Sequence, residues 1–279
     1  MIVYIMYRFK SIYNGALNTL INASLKYRKE YTYFYNKLNY GNFFNIIYAW
    51  GDTMKKVYML SGSYTKRVFP EDAMNDLNEE LKKEAILAFI PTNFDDHDNN
   101  LERVNKIIQM FKNSNVEFKE GYLIDNAITK EEAIEIMKKS DVVFLTGGNP
   151  LEQIDGINNL DIRGAIKEYG KIIVGMSAGS MNMASKVILA KDEEEDIPET
   201  VVYDGIGLTD INIEPHCDFE NKEHWQDLLE ASKINKIYCM VDNCSIVTKE
   251  SETKIYGNYC IINNGEIEFD NRNDEQGNN

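Results

Sequence analysis

The chain has 279 residues, 43% hydrophobic and 27% charged, a balance that suits a globular protein and excludes a wholly disordered one. Its net charge of −15 excludes a nucleic-acid binder working through a basic face, because phosphate contacts need clustered Lys and Arg. Cys217, Cys239, Cys244 and Cys260 form no Cys-x-x-Cys pair, so they fit neither a zinc ribbon nor a redox motif and are expected as reduced thiols of a cytoplasmic protein.

Residues 1–53 stand apart from the rest. Six basic residues face only Glu30 and Asp52 there, a net +4, which leaves −19 for residues 54–279. The same stretch holds nine of the seventeen tyrosines and no proline. It has no apolar run of the ~18–20 residues that a spanning helix needs. Arg8 and Lys10 interrupt its apolar start too early for a signal-peptide core. Met54-Lys55-Lys56 then leads straight into an apolar strand, so the folded domain is expected over 54–279. Residues 1–53 are expected to be an extension, appended or arising from a translation start placed too far upstream. The competing reading, a basic aromatic anchor on a membrane surface, is disfavoured.

From Met54 onward, short apolar runs alternate with amphipathic stretches. Strands are expected at Val57–Leu60, Ala85–Ile90, Val116–Ile124, Asp141–Thr146 and Lys171–Gly175. Helices are expected at Glu71–Glu84, Leu101–Phe111, Lys130–Lys139 and Ile162–Tyr169, the third opened by a Thr129-x-x-Glu132 capping box. This alternation implies βαβ units, hence an α/β fold with a mostly parallel sheet and helices on both faces. Beyond Ser185 the pattern turns strand-rich, with strands at Val187–Leu189, Val201–Tyr203, Ile211–Ile213, Lys236–Val241, Ser245–Thr248 and Tyr259–Phe269. One helix is expected there, at about Glu223–Ser232.

The strand at Lys171–Val174 runs into Gly175-Met176-Ser177-Ala178-Gly179, a Gly-x-Ser-x-Gly at a strand-to-helix boundary. A sharp turn there exposes the Ser177 hydroxyl, and the small neighbours let other backbone pass close. The amide of Ala178 then faces a developing oxyanion. Gly147-Gly148-Asn149 ends the preceding strand on the same carboxyl edge, where it is either a plain strand-to-helix turn or the source of a second oxyanion donor, the Gly148 amide. A serine nucleophile needs a base. His216 is the leading candidate, because Pro215 ends its strand rigidly and sets the next side chain at the tip. His97, among Asp95, Asp96 and Asp98, reads as a solvated loop residue, and His224, beside Trp225, as helix surface or packing. Between Ser177 and His216 lie Asp192-Glu193-Glu194-Glu195-Asp196, any of which is a candidate to orient the base. The spacing of His216, Asp218, Glu220 and His224 does not support a metal site.

Taken together, Phe144-Leu145-Thr146-Gly147-Gly148-Asn149-Pro150, Gly175-Met176-Ser177-Ala178-Gly179-Ser180, Asp192 and Glu214-Pro215-His216 resemble the dipeptidase E family of serine peptidases, from about Lys55 to Tyr259. The resemblance implies a fold similar to class I glutamine amidotransferases. It further implies Ser177 as nucleophile, His216 as general base and Asp192 as the acid. Gly148 and Ala178 become the oxyanion-hole amides. Some relatives use a Glu as the acid, which keeps Glu193, Glu194 and Glu195 open. The implied function is hydrolysis of small peptides through an acyl-enzyme, with no cofactor. An esterase or isopeptide (cyanophycin-type) hydrolase with the same triad, and a non-catalytic small-molecule binder, are the alternatives. The family recognises an aspartyl carboxylate with an Arg beyond the His, whereas no Arg occurs here between Arg163 and Arg272. The acidic stretch after His216 points instead to a free amino terminus or a basic side chain. Homo-oligomers are compatible with this reading.

Overall fold

A computed structural model describes residues 55–62, 67–249 and 252–271, all within a compact unit spanning Met54–Asn279. The expectation for residues 1–53 lies outside the described residues.

The strands and helices of the first half alternate as the hydrophobic pattern predicts. They are β1 (Lys56–Leu60), α1 (Glu71–Glu80), β2 (Ala85–Ile90), α2 (His97–Asn113), β3 (Phe118–Leu123), α3 (Lys130–Lys139), β4 (Val142–Leu145), α4 (Pro150–Asn159), α5 (Arg163–Glu168), β5 (Ile172–Met176) and α6 (Ala178–Met181). The second half carries β6 (Lys186–Leu189), β7 (Val201–Asp204), β8 (Asn212–Glu214), α7 (Lys222–Ala231), β9 (Ile237–Met240), β10 (Ser245–Lys249), β11 (Glu252–Tyr256), β12 (Tyr259–Asn263) and β13 (Glu266–Asp270).

A seven-stranded sheet runs in the order β11-β10-β1-β5-β4-β2-β3. Its strands β1, β5, β4, β2 and β3 are parallel, and β10 and β11 extend it antiparallel. Alternation along each strand feeds two cores. Val57, Met59, Val143 and Leu145 face one side, where α3, α4 and α5 contribute Met137, Ile154 and Ile166. Tyr58, Leu60, Val142 and Phe144 face the other, where α1 and α2 contribute Met74, Leu77, Val104 and Phe111. A strand buried on both faces is nearly continuous in apolar residues, which is why Val57–Leu60 of β1, and β2 and β4 throughout, read as hydrophobic runs. The capping box at Thr129 forms as its spacing predicts. The four cysteines are buried and unbridged.

A second sheet, β13-β12-β9-β8, packs its own small core, and β6 and β7 form a separate ribbon. In this sheet β8 and β9 are parallel, with Glu214 level with Cys239.

The structure departs from expectation at several elements. α2 starts at His97, four residues early, so His97 opens a helix instead of lying in a loop. α4 is an additional helix after the Gly147-Gly148 turn, started by Asn149, whose side chain accepts from the amides of Leu151 and Glu152 at 2.9 and 3.2 Å, with Pro150 in its first turn. The run expected as one strand over Tyr259–Phe269 is a hairpin, because Asn264 (φ 53°) and Gly265 (φ 82°) adopt the left-handed pair of a two-residue turn. β11 was not expected either; its Glu252-Thr253-Lys254 start is exposed, as suits an edge strand.

Phe144 sits at the centre of an aromatic cluster, with ring centroids 5.8 Å from Phe69, 6.2 Å from Phe89 and 5.5 Å from Phe111. Truncation there leaves a cavity that three rings cannot close. Phe144→Ala is expected to cost about 3–5 kcal/mol in urea-monitored unfolding.

Candidate active site

Ser177 follows β5 directly and takes φ 51°, ψ −117°, a region that a non-glycine residue occupies only when its surroundings hold it there. What holds it is its neighbours. The Ser177 amide donates to the Leu60 carbonyl at 2.9 Å, and the Ser177 carbonyl accepts from the amides of Ser180 (2.8 Å) and Met181 (3.0 Å). Gly175 and Gly179 are required because the turn is tight. A Cβ at Gly179 would strike the Leu145 carbonyl, and one at Gly175 would lie 2.7 Å from the Gly179 backbone. Ser180, expected as helix surface or packing, is fully buried and donates its hydroxyl to the Leu60 carbonyl at 2.9 Å. The amide of Ala178, first in α6, has no acceptor within its helix.

Gly147 lies against Ser177: a Cβ built on it would be 3.2 Å from the Ser177 Cβ. The Thr92 hydroxyl donates to the Gly147 carbonyl at 2.6 Å. In a planar trans peptide the C=O and the next N–H point opposite ways, so this bond turns the Gly148 N–H away from Thr92. Gly148 itself has φ 137°, and a Cβ there would sit 2.7 Å from the Thr92 hydroxyl oxygen. Beneath the turn is a buried polar network. Gln153 donates to the Thr146 carbonyl (3.0 Å), Asn182 donates to the Gln153 Oε1 (3.1 Å), and Tyr203 donates to the Asn182 Oδ1 (2.9 Å). Its groups are mutually satisfied, so it rigidifies the turn rather than weakening the core.

His216 lies two residues beyond β8, and Asp242 two residues beyond β9. Because those strands are parallel neighbours, their ends bring the two side chains together, His216 Nδ1 meeting Asp242 Oδ1 at 2.5 Å. His216 also has a positive φ of 54° and a half-exposed side chain, and Asp242 is about a quarter exposed. Gly62, just past β1, backs this pair. A Cβ there would run into the imidazole and come within 2.7 Å of the Asp242 carboxylate.

The structure does not bring Asp192 to His216. Asp192 instead stands beside His224, 3.5 Å from its Nδ1, and Glu193, Glu194 and Glu195 lie exposed in the following turn. The sequence places the candidate acids between Ser177 and His216, whereas the carboxylate that meets His216 lies beyond it, at Asp242. The available signal was Asp242 itself, directly after the apolar run Lys236–Val241.

His224, expected as surface or packing, is nearly buried between two carboxylates. Its Nε2 lies 3.3 Å from Glu214 Oε1, and its Nδ1 lies 3.2 Å from the Lys191 carbonyl. The hydrogen bond to Glu214 pushes its pKa up to about 9 against the opposing effect of burial, with the charges of Glu214 and Asp192 adding to the rise. His97 likewise has a partner, the buried Asp125, at 2.9 Å. Among the described residues, no group of three or more His, Cys, Asp or Glu side chains stands close enough to hold a metal ion. Nor is any helix there long and apolar enough to cross a membrane.

The mostly parallel sheet flanked by helices defines an α/β fold, and solved structures share that fold. A protein from Listeria monocytogenes EGD-e provisionally designated peptidase E matches 73% of this chain and 98% of its own, at 18% identity and a TM-score of 0.53. A peptidase from an acI-B1 Actinobacterium matches 77% of this chain and 93% of its own, at 15% identity and a TM-score of 0.55. No curated protein matches the chain. Residues 57–256 match the model of peptidase family S51, and the chain belongs to that family. It is therefore a hydrolase, a serine peptidase of the dipeptidase E type.

The raised pKa of His224 has a consequence for stability. Its charged form is favoured in the fold relative to an unfolded value of about 6.5. The contribution is complete below that value and is lost as pH rises through about 9. In urea unfolding, the advantage of the wild type over His224→Gln is expected to be about 1–3 kcal/mol at pH 6 and to shrink steadily by pH 9.5.

Proposed function

We propose that this chain hydrolyses small peptides through an acyl-enzyme formed on Ser177. The observation that carries the reading is a strained serine elbow together with an imidazole whose Nδ1 is held by a carboxylate at 2.5 Å. His216 Nε2 takes the proton of the Ser177 hydroxyl as its oxygen bonds to the scissile carbonyl carbon. The Gly148 and Ala178 amides hold the resulting oxyanion. The tetrahedral intermediate collapses, the C–N bond breaks, and His216 returns the proton to the leaving amine. Water, deprotonated by the same imidazole, then cleaves the ester and restores the serine. These steps use only protein groups and water.

The orienting acid in this reading is Asp242. An ionised carboxylate on Nδ1 fixes the tautomer that leaves Nε2 free to accept a proton, and it stabilises the imidazolium that forms. Contact with His216 favours Asp242 over Asp192, whose carboxylate is engaged with His224. For the substrate, the exposed Asp218 and Glu220 beside His216 favour peptides carrying a positive charge. That preference replaces the aspartyl specificity of the family.

The test is mass spectrometry of a dipeptide and tripeptide library incubated with wild type and variants. Ser177→Ala is expected to lose at least about a thousandfold in kcat/KM, and Asp242→Asn a comparable amount. Asp192→Asn is expected to stay within severalfold of wild type, and library members with basic residues to be depleted first. Equal loss in the Asp192 variant, or preferential cleavage of Asp-Leu, would overturn the corresponding assignment.

A further inference from the structure

The geometry points to Ser61 as a positioning residue for this site: a single buried hydroxyl that sets where the His216 imidazole stands relative to both Asp242 and Ser177. The inference rests on the reading of Ser177, His216 and Asp242 given above.

Ser61 is the first residue past β1 and is fully buried. Its own amide donates to the Cys244 carbonyl at 3.0 Å, which fixes it against the start of β10. Its hydroxyl has one proton to give and lone pairs to receive. It gives the proton to the Met240 carbonyl, at 3.1 Å, at the end of β9 and two residues before Asp242. It receives the backbone N–H of His216 at 2.8 Å. One side chain therefore ties the tip of β1 to the ends of the paired strands β8 and β9, to which no strand pairing joins it. The tip of β1 belongs to the large sheet, whereas the turn after β8 and the end of β9 belong to the second.

The bond to His216 matters because of the conformation it supports. At φ 54° a residue with a side chain carries strain, and the surroundings must supply compensating contacts. An unpaired, part-buried N–H would add to that cost. With the bond made, the amide and hence the ring are placed from β1. The residue before Ser61 contributes the Leu60 carbonyl that holds the Ser177 amide, and the residue after it, Gly62, lies against the imidazole and the Asp242 carboxylate. Leu60, Ser61 and Gly62 thus locate the nucleophile, base and acid in succession.

Ser245 provides the natural control. It stands opposite Leu60 on β10, is equally buried, and its hydroxyl has no hydrogen-bond partner. The experiment compares Ser61→Ala, Ser61→Thr and Ser245→Ala with wild type, measuring kcat and KM on the most rapidly depleted library peptide. In parallel, the His216 ring titration is followed by NMR, a readout that needs no substrate.

Ser61→Ala is expected to lower kcat about 10- to 100-fold with KM changed less than threefold, because misplacement of the base acts on the chemical step. It is also expected to move the His216 titration while leaving that of His97 in place. Ser61→Thr, which keeps the hydroxyl, restores most of both, and Ser245→Ala changes neither. Ser61→Ala that stays folded, keeps kcat within twofold and leaves the His216 titration unmoved would overturn the assignment. So would equal losses in Ser61→Ala and Ser245→Ala, which would mark a general packing effect. Undiminished activity in Ser177→Ala would instead defeat the nucleophile reading, and the His216 titration would still decide the role of Ser61.

Discussion

The Leu60 carbonyl accepts two hydrogen bonds, from the amide of Ser177 and from the hydroxyl of Ser180, and the rest of the site is arranged around that double acceptance. The bond from the Ser177 amide continues the β1–β5 ladder one step past Met176, and the second lone pair of the same carbonyl is left for the Ser180 hydroxyl. Together the two bonds fasten both ends of the first turn of α6 to the sheet and hold Ser177 in its unfavourable dihedrals. β1 is able to serve as this anchor because it is buried on both faces, with Val57 and Met59 in one core and Tyr58 and Leu60 in the other. A shift of its tip would have to disturb both cores at once, and close-packed interiors resist such shifts.

The hydrophobic runs made the parallel sheet and its flanking helices legible, since strands buried on both faces cannot hide their composition. The elbow was legible for a related reason: the backbone of Leu145 comes so near Gly179 that no side chain fits, and this constraint leaves glycines in the sequence. Asp242 was not legible as a partner of His216. Their meeting depends on β8 and β9 being parallel neighbours, and nothing local to either strand announces that pairing. The Asn264-Gly265 turn, by contrast, was readable, and it was overridden by the apolar residues on either side of it. Asp192 carried the right spacing from Ser177, yet spacing along the chain does not determine which of two histidines a carboxylate meets.

Each of the three histidines has a carboxylate on its Nδ1 side, and exposure separates them. His224, about a tenth exposed and flanked by two acids, is held as a cation and ties the segment around Asp192 to the one leading into His216. His97 leans on the wholly buried Asp125 at the start of α2, away from the elbow in the strand order. His216 is half exposed, with its acid also reachable by water. A base that must gain and lose a proton in each turnover suits the last of these settings and not the first, because a proton held to about pH 9 is not available for exchange near neutrality.

The strand order has a consequence for how the protein is made. β1 is the first of the described strands to be synthesised but lies between β5 and β10, which come from the middle and the later part of the described chain. At ~5–20 residues per second the ribosome leaves this apolar strand without its first neighbour for on the order of ten seconds, and without its second for longer. The elbow cannot close before β5 has emerged, and His216 cannot meet Asp242 until β9 has followed. A nascent chain of this topology therefore holds neither the Ser177 turn nor the His216–Asp242 contact until most of it has been made.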